Sequence, residues 1–320
     1  MVFSAFLFAL GLGLLIKGGD WFVSGAAGIA RRFRLPDIIV GATVVSIGTT
    51  LPEVMVSVTG ALNGQGSMAY GNAIGSIICN TALIAALSVA IHPCPVNARS
   101  LTVPVLFFFM SAAVFCLGAY VLGGFPRWLG FILLGIFALY LFVTVLQNVR
   151  APVHSEKSDR PTERALRSNL LLLVGGAAVI AVGADLLVDH GTVLAHALGV
   201  PETVIALTFV ALGTSLPELI TTVTSLRQGH TSLGLGNVIG ANIFNLVLVS
   251  GAAVVLAPFE VPAGKPLFGF NSSLVLDIPL MLTVMALLTL PALLRKNLNR
   301  WQGITLLAIY AAFCMLQFVL

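Results

Sequence analysis

The chain has 320 residues, of which 58% are hydrophobic and 9% charged, with a mean hydropathy of +1.05 and a formal net charge of +4. A soluble domain carries about 25% charged residues, so this composition excludes an ordinary globular enzyme. The basic residues have no soluble face on which to cluster, which excludes a nucleic-acid binder. What remains is a polytopic membrane protein with the lipid bilayer as its surroundings.

A spanning helix needs about 20 mainly apolar residues. In chain order such stretches occupy 3–29, 36–62, 69–91, 100–122, 127–148, 168–189, 201–226, 233–257, 273–293 and 301–319. The expected fold class is therefore all-α, with about ten transmembrane helices. No basic leader precedes the first stretch, which predicts a retained span, not a cleaved signal peptide. Cys79, Cys94, Cys116 and Cys314 lie in apolar text without metal or disulfide spacing and read as packing residues.

One charged linker, 149–167, separates the fifth and sixth spans. The odd-numbered connections hold Arg31, Arg32, Arg34, Arg99, Arg150, Lys157, Arg160, Arg164, Arg167, Arg227, Arg295, Lys296 and Arg300, thirteen of the sixteen basic residues. Basic residues mark the cytoplasmic side, so the linker is expected in the cytoplasm and both termini outside. The expected location is the cell membrane, plasma or inner.

Internal repetition organises these spans. Residues 36–53 read PDIIVGATVVSIGTTLPE and residues 201–218 read PETVIALTFVALGTSLPE, an offset of 165. The same offset carries GNAIGSIICN (71–80) onto GNVIGANIFN (236–245), and Gly18 and Asp20 onto Gly183 and Asp185. Arg127-Trp128-x-Gly130 recurs as Arg300-Trp301-x-Gly303 at an offset of 173. The expected organisation is a first repeat over 1–148, the linker over 149–167 and a second repeat over 168–320. Five spans per repeat, an odd number, force the two into opposite membrane orientations. Inverted repeats of this kind build secondary transporters with a midplane site.

The repeated motifs carry oxygen ligands. Glu53 and Glu218 fall midway along apolar spans, where an acid costs about 2.5–3.5 kcal/mol to insert and seeks a cation, a proton or water. No basic residue lies within two turns of either on its own span. Pro52 and Pro217 cannot donate to the carbonyls of Gly48 and Gly213, which predicts a kink or break with backbone oxygens freed. Thr49, Thr50, Thr214 and Ser215 add hydroxyls beside that point. Asn72, Ser76 and Asn80, at i, i+4 and i+8, share one helix face, as do Asn237, Ala241 and Asn245. Gly71 and Gly75 are expected to let their helix approach another closely. Carboxylate, carbonyl, amide and hydroxyl oxygens suit calcium or sodium and not zinc or copper.

Other polar residues carry less. Asp37 and Glu202 read as helix-start acids. Asp20 has Lys17 one turn away as a potential partner; no lysine precedes Asp185, which leaves packing, capping or ion entry open, and Asp277 receives no role. The five histidines read as solvated or interfacial.

At GTTLPE with GNAIGSIICN, and at GTSLPE with GNVIGANIFN, the sequence resembles the sodium/calcium exchangers of the calcium:cation antiporter superfamily, and the motifs look like their two α-repeats. The resemblance covers the whole chain. It implies alternating access, with calcium and sodium competing for sites between spans two, three, seven and eight while spans one and six slide. It also implies that Glu53 and Glu218 are the shared carboxylates and that Thr49 and Thr214 supply backbone or hydroxyl oxygen. Thr50 and Ser215, with the carbonyls of Ser46 and Ala211, would line sodium sites. Asn72, Ser76, Asn80, Asn237 and Asn245 would complete the set. The implied ions are transported substrates, and no cofactor is implied. Thr50 departs from the usual serine, Ala241 lacks the oxygen that Ser76 has, and Asn245 stands where potassium-dependent members carry aspartate. The short linker lacks the calcium-sensing domains of animal exchangers. Calcium/proton antiport is the nearest alternative, because a desolvated glutamate can hold a proton. A cation channel and an intramembrane aspartyl protease using Asp20 and Asp185 are weaker ones. The oligomeric state is not legible.

Overall fold

The apolar stretches are helical in the computed structural model, which describes residues 2–33, 35–150, 165–197, 213, 215–262, 266–267 and 269–319. In chain order the helices are α1 (Val2–Phe33), α2 (Asp37–Leu62), α3 (Gly66–Ile91), α4 (Ala98–Leu122), α5 (Arg127–Arg150), α6 (Leu166–Ala197), α7 (Leu216–Arg227), α8 (Thr231–Leu256), α9 (Ser273–Arg295) and α10 (Arg300–Val319). Among the described residues eight are long and apolar enough to cross a membrane, and α10 contributes the shorter apolar stretch Arg300–Leu316. The seventh predicted span is described only from its second half onward, as α7. The protein is an all-α, multi-pass membrane protein.

Among the described residues six two-residue strands lie in the connections between helices: β1 (Cys94–Pro95), β2 (Gly124–Phe125), β3 (Phe259–Glu260), β4 (Pro266–Leu267), β5 (Phe270–Asn271) and β6 (Asn297–Leu298). All three ladders are antiparallel. β1 pairs with β6, β2 with β3, and β4 with β5.

The helices gather into two compact units that cut across the sequence repeats. One comprises Met1–Thr49 with Ala151–Asn237, the other Thr50–Arg150 with Val238–Leu320. Each draws from both repeats.

In the first unit α1 runs antiparallel along α6 on a glycine seam. A Cβ on Gly11 would stand 2.9 Å from the Gly183 carbonyl oxygen, and one on Gly176 would stand 2.8 Å from that of Gly18. Gly176 and Gly183 are Gly11 and Gly18 shifted by 165, so the seam is reciprocal: 11 meets 183 and 18 meets 176. Close backbone approach is what small residues provide between helices in lipid, where the hydrophobic effect gives no drive to associate. Leu15, Phe22, Val23, Ala26, Leu173 and Ile180 fill the buried sides of this pair.

The second unit shows the same reciprocity. β1 shifted by 165 is β3, and β2 shifted by 173 is β6, so the two interhelical ladders are images of each other. The repeated Arg-Trp-x-Gly motif has its explanation here. Gly130 of α5 lies against the Gly251 carbonyl of α8, and Gly303 of α10 lies against the Ala86 carbonyl of α3, where Ala86 and Gly251 are again 165 apart. Tyr70, Phe115, Phe125 and Phe259 pack as an aromatic cluster beside the β2–β3 ladder, with neighbouring ring centroids as close as 4.6 Å. Three of the helices change pitch internally through π-turns, at Gly41–Val45, Asn80–Ala85 and Asn245–Val249, and two more π-turns occur at Leu117–Leu122 and Ser273–Asp277.

Candidate functional site

The two GT[TS]LPE motifs adopt different helical settings. In the first, α-helix is continuous from Ser46 to Leu62 with Pro52 inside it, so of the expected kink or break the break is absent. Pro52 still has no N–H to offer the Gly48 carbonyl. In the second, α7 begins at Leu216, with Ser215 in a turn (φ −92°, ψ 5°) and Pro217 in the first turn, where the missing N–H has no helical partner to lose. Glu218 thus lies in the first turn of α7, at the positive end of its backbone dipole, which favours an anion. Both Glu53 and Glu218 are 0% exposed.

The first unit brings together Ser46, Thr49, Ser215, Glu218 and Asn237. α2 and α8 cross there at two glycines: a Cβ on Gly41 would collide with the Leu233 carbonyl oxygen, and one on Gly236 with that of Ile38. This contact sets α2 against the GN motif of the other repeat. The Thr49 hydroxyl donates to Asn237 Oδ1 at 3.1 Å, and Ser46 Oγ lies 2.9 Å from the Asn237 carbonyl and 2.8 Å from that of Gly41. Having one proton, Ser46 can donate to only one of these at a time. Asn237 Nδ2 is buried with no hydrogen-bond partner among the described residues, as is Ser215 Oγ. Thr214 and Ala211 lie outside the described residues.

The second unit carries Thr50, Glu53, Asn72, Ser76, Asn80 and Asn245. Asn72 Nδ2 donates to the Glu53 carbonyl at 3.2 Å and to Ser57 Oγ at 2.8 Å, and its Oδ1 is the atom of the amide chemically suited to a cation. Thr50, Ser76, Asn80 and Asn245 are buried. Asn80 and Asn245, equivalent by the 165 offset, each open a π-turn. Both atoms of both amides are buried without a hydrogen-bond partner among the described residues. Leaving a buried amide unsatisfied costs about 1–3 kcal/mol per group. π-turns inside α-helices recur at functional sites because they re-aim side chains and disturb the carbonyl ladder.

Several expectations require correction. Among the described residues a Cβ on Gly71 or Gly75 would meet nothing within 4 Å, whereas Gly41 and Gly236 each lie against a neighbouring backbone. Lys17 does not pair with Asp20 and instead lies 5.8 Å over the Trp21 ring, while Asp20 Oδ1 accepts from Gln228 Nε2 at 3.4 Å. His230 is not simply solvated: its Nδ1 is 2.7 Å from Asp37 Oδ2. One buried polar group was missed. Asn242 Nδ2 donates to Thr81 Oγ1 at 2.7 Å, immediately after the Asn80 position. The signal available was an asparagine at 242 with no partner in the first repeat, where Ile77 stands.

Known proteins match this arrangement over nearly its full length. Residues 3–146 and 168–319 match the model of the sodium/calcium exchanger protein family. An uncharacterized membrane protein of Methanocaldococcus jannaschii is 36% identical over 312 residues, covering 95% of this chain and 94% of that protein. The sodium/calcium exchanger MaX1 of Methanosarcina acetivorans is 29% identical over 348 residues, covering 97% of each. The solved structure of the sodium-calcium exchanger NCX_Mj superposes with a TM-score of 0.80 at 32% identity, covering 97% of both chains. Fold, paired motifs and relatives agree: the chain belongs to the sodium/calcium exchanger protein family and is a transporter, not an enzyme.

Proposed function

We propose that this antiporter exchanges calcium for sodium by alternating access, with sodium entry driving calcium out of the cell. Glu53 and Glu218 are the carboxylates that calcium and sodium take in turn. The observation that carries the reading is the pair of fully buried glutamates, 165 residues apart in matching motifs, in a chain with few other charges. Two ionised carboxylates balance one calcium ion, and hydroxyl, amide and carbonyl oxygens then complete a hard-cation shell. Thr49, Thr50, Thr214, Ser215, Asn72, Ser76, Asn80, Asn237 and Asn245, with the carbonyls of Ser46 and Ala211, are the proposed sources of those oxygens. The similarity to MaX1 and NCX_Mj, both named as sodium/calcium exchangers, supports sodium over protons. The two sequence repeats, 1–148 and 168–320, are proposed as the inverted halves, with linker and odd connections cytoplasmic and both termini outside.

Calcium flux in sealed proteoliposomes, under separately imposed sodium, potassium and proton gradients, tests this. Calcium uptake driven by a sodium gradient and indifferent to a proton gradient is expected. Uptake driven by protons alone selects calcium/proton antiport, and passive conductance without counter-transport selects a channel.

A further inference from the structure

Below Glu218, α7 carries a row of hydroxyls that the cation ligands named so far do not use. Thr221, Thr222 and Ser225 follow Glu218 at i+3, i+4 and i+7, so all four share one face of the helix. Each is at most 1% exposed, and each hydroxyl oxygen is without a hydrogen-bond partner among the described residues. This departs from the usual behaviour of a helical hydroxyl, which bonds the carbonyl four residues back. Thr43, Thr102, Ser111, Thr283, Thr289 and Thr305 all do that, at 2.6–2.9 Å.

The row has two defined ends. Glu218 stands at the top. At the bottom, where α7 ends, Gln228 Nε2 lies 3.4 Å from Asp20 Oδ1, and Gln228 Oε1 lies 3.5 Å from the Ser24 hydroxyl. α8 packs directly against the row at Gly234, where a Cβ would stand 3.3 Å from Ser225 Cβ and from Thr222 Cα, so α8 covers the row on that side in this conformation. The first repeat has no counterpart. The positions 165 earlier are Val56, Ser57 and Gly60, and Ser57 accepts from Asn72.

We propose that Thr221, Thr222 and Ser225 form a transit path along which the transported cation moves between Glu218 and the Gln228 end of α7. The inference rests on Glu218 as a cargo ligand. Hydroxyl oxygens one helical turn apart, about 5–6 Å, replace successive parts of a cation's hydration shell over the roughly 10 Å from Glu218 to Ser225. The Asp20 carboxylate at the lower end attracts cations and repels anions.

Single cysteines at Thr222 and Ser225, in a chain with Cys79, Cys94, Cys116 and Cys314 replaced by serine, test the path in sealed vesicles with a membrane-impermeant, hydrophilic thiol reagent. In ion-free buffer, Thr222→Cys and Ser225→Cys are expected to react from the side bearing Gln228, and Val223→Cys, on the opposite face of α7, to stay unreactive. Calcium is expected to slow the labelling. Absence of reaction from that side, or equal reaction at Val223→Cys, overturns the path. Labelling in ion-free buffer is independent of which ion drives transport, so it stands or falls apart from the gradient experiment. In parallel, the Thr222→Val, Ser225→Ala double variant is expected to lower the initial exchange rate by about tenfold, with half-saturating calcium little changed. An unchanged rate also overturns it.

Discussion

The Thr49 hydroxyl donates to Asn237 Oδ1 across 3.1 Å, joining the first repeat's GTTLPE helix to the second repeat's GN motif 188 positions further along the chain. The bond is fully internal to one compact unit and sits one turn before Glu53 in sequence. Removing its donor leaves a buried amide oxygen with one partner fewer, at a cost of about 1–3 kcal/mol. Thr49→Val is therefore expected to raise the calcium concentration for half-maximal flux by about tenfold, and Thr49→Ser to retain near-normal values. A double-mutant cycle with Asn237→Ala is expected to show coupling of about 1 kcal/mol, whereas strict additivity removes the bond from the functional account.

The π-turn asparagines separate stability from transport. Replacing Asn245 by leucine, of similar volume, removes two buried polar atoms without a hydrogen-bond partner among the described residues. Thermal unfolding in detergent is expected at an unchanged or higher temperature for Asn245→Leu, with exchange reduced by at least about tenfold, because functional sites hold groups that a stable core would discard. A lowered Tm with normal exchange makes Asn245 a structural residue.

The glycine seam makes a prediction confined to folding. Gly183→Ala places a methyl within about van der Waals overlap of the Gly11 backbone, and overpacking of this kind costs roughly 1–3 kcal/mol. Gly175→Ala, with nothing within 4 Å of its Cβ position, is the matched control. Detergent unfolding curves are expected to shift downward for the first and not for the second.

Cys94 reports on the β1–β6 ladder. It lies between α3 and α4 and faces Leu298 in register. Directly opposed strand residues have Cα atoms about 4.5–5.5 Å apart, within the range a disulfide bridges. Leu298→Cys is expected to crosslink with Cys94 under oxidation while preserving exchange, since both strands belong to one unit. Burial pushes the Cys94 thiol up from its ordinary value of 9.0. Less of it is thiolate at neutral pH than for an exposed cysteine, so maleimide labelling of native Cys94 is expected to be slow near pH 7 and to accelerate at higher pH than a free thiol does. A labelling profile matching that of free cysteine contradicts the burial.

Much of this organisation was legible before any coordinates, and for a physical reason. The offset of 165 is a property of covalent sequence, and it pairs Gly18 with Gly183 and Asn80 with Asn245 as equivalent positions, though it names neither the helix contact nor the π-turns found there. Spacing on a helix likewise identifies which side chains share a face. What spacing cannot identify is which face meets which neighbour. Gly236 lies against the Ile38 backbone, a contact between helices far apart in sequence that its motif alone does not name. Pro52 and Pro217 occupy the same motif, yet one lies inside a continuous helix and the other in a helix's first turn. The hydrogen bonds of Asn237 and Asn242, like the Asp37–His230 pair, depend on tertiary contacts between helices far apart in sequence.

The central claim is that calcium and sodium compete for Glu53 and Glu218. Equilibrium calcium binding to the purified exchanger, titrated with sodium, tests it most directly. The account predicts saturable binding that sodium displaces competitively, and its loss in both Glu53→Gln and Glu218→Gln, with folding preserved. Calcium binding that persists unaltered in either variant, or that sodium fails to displace, contradicts it.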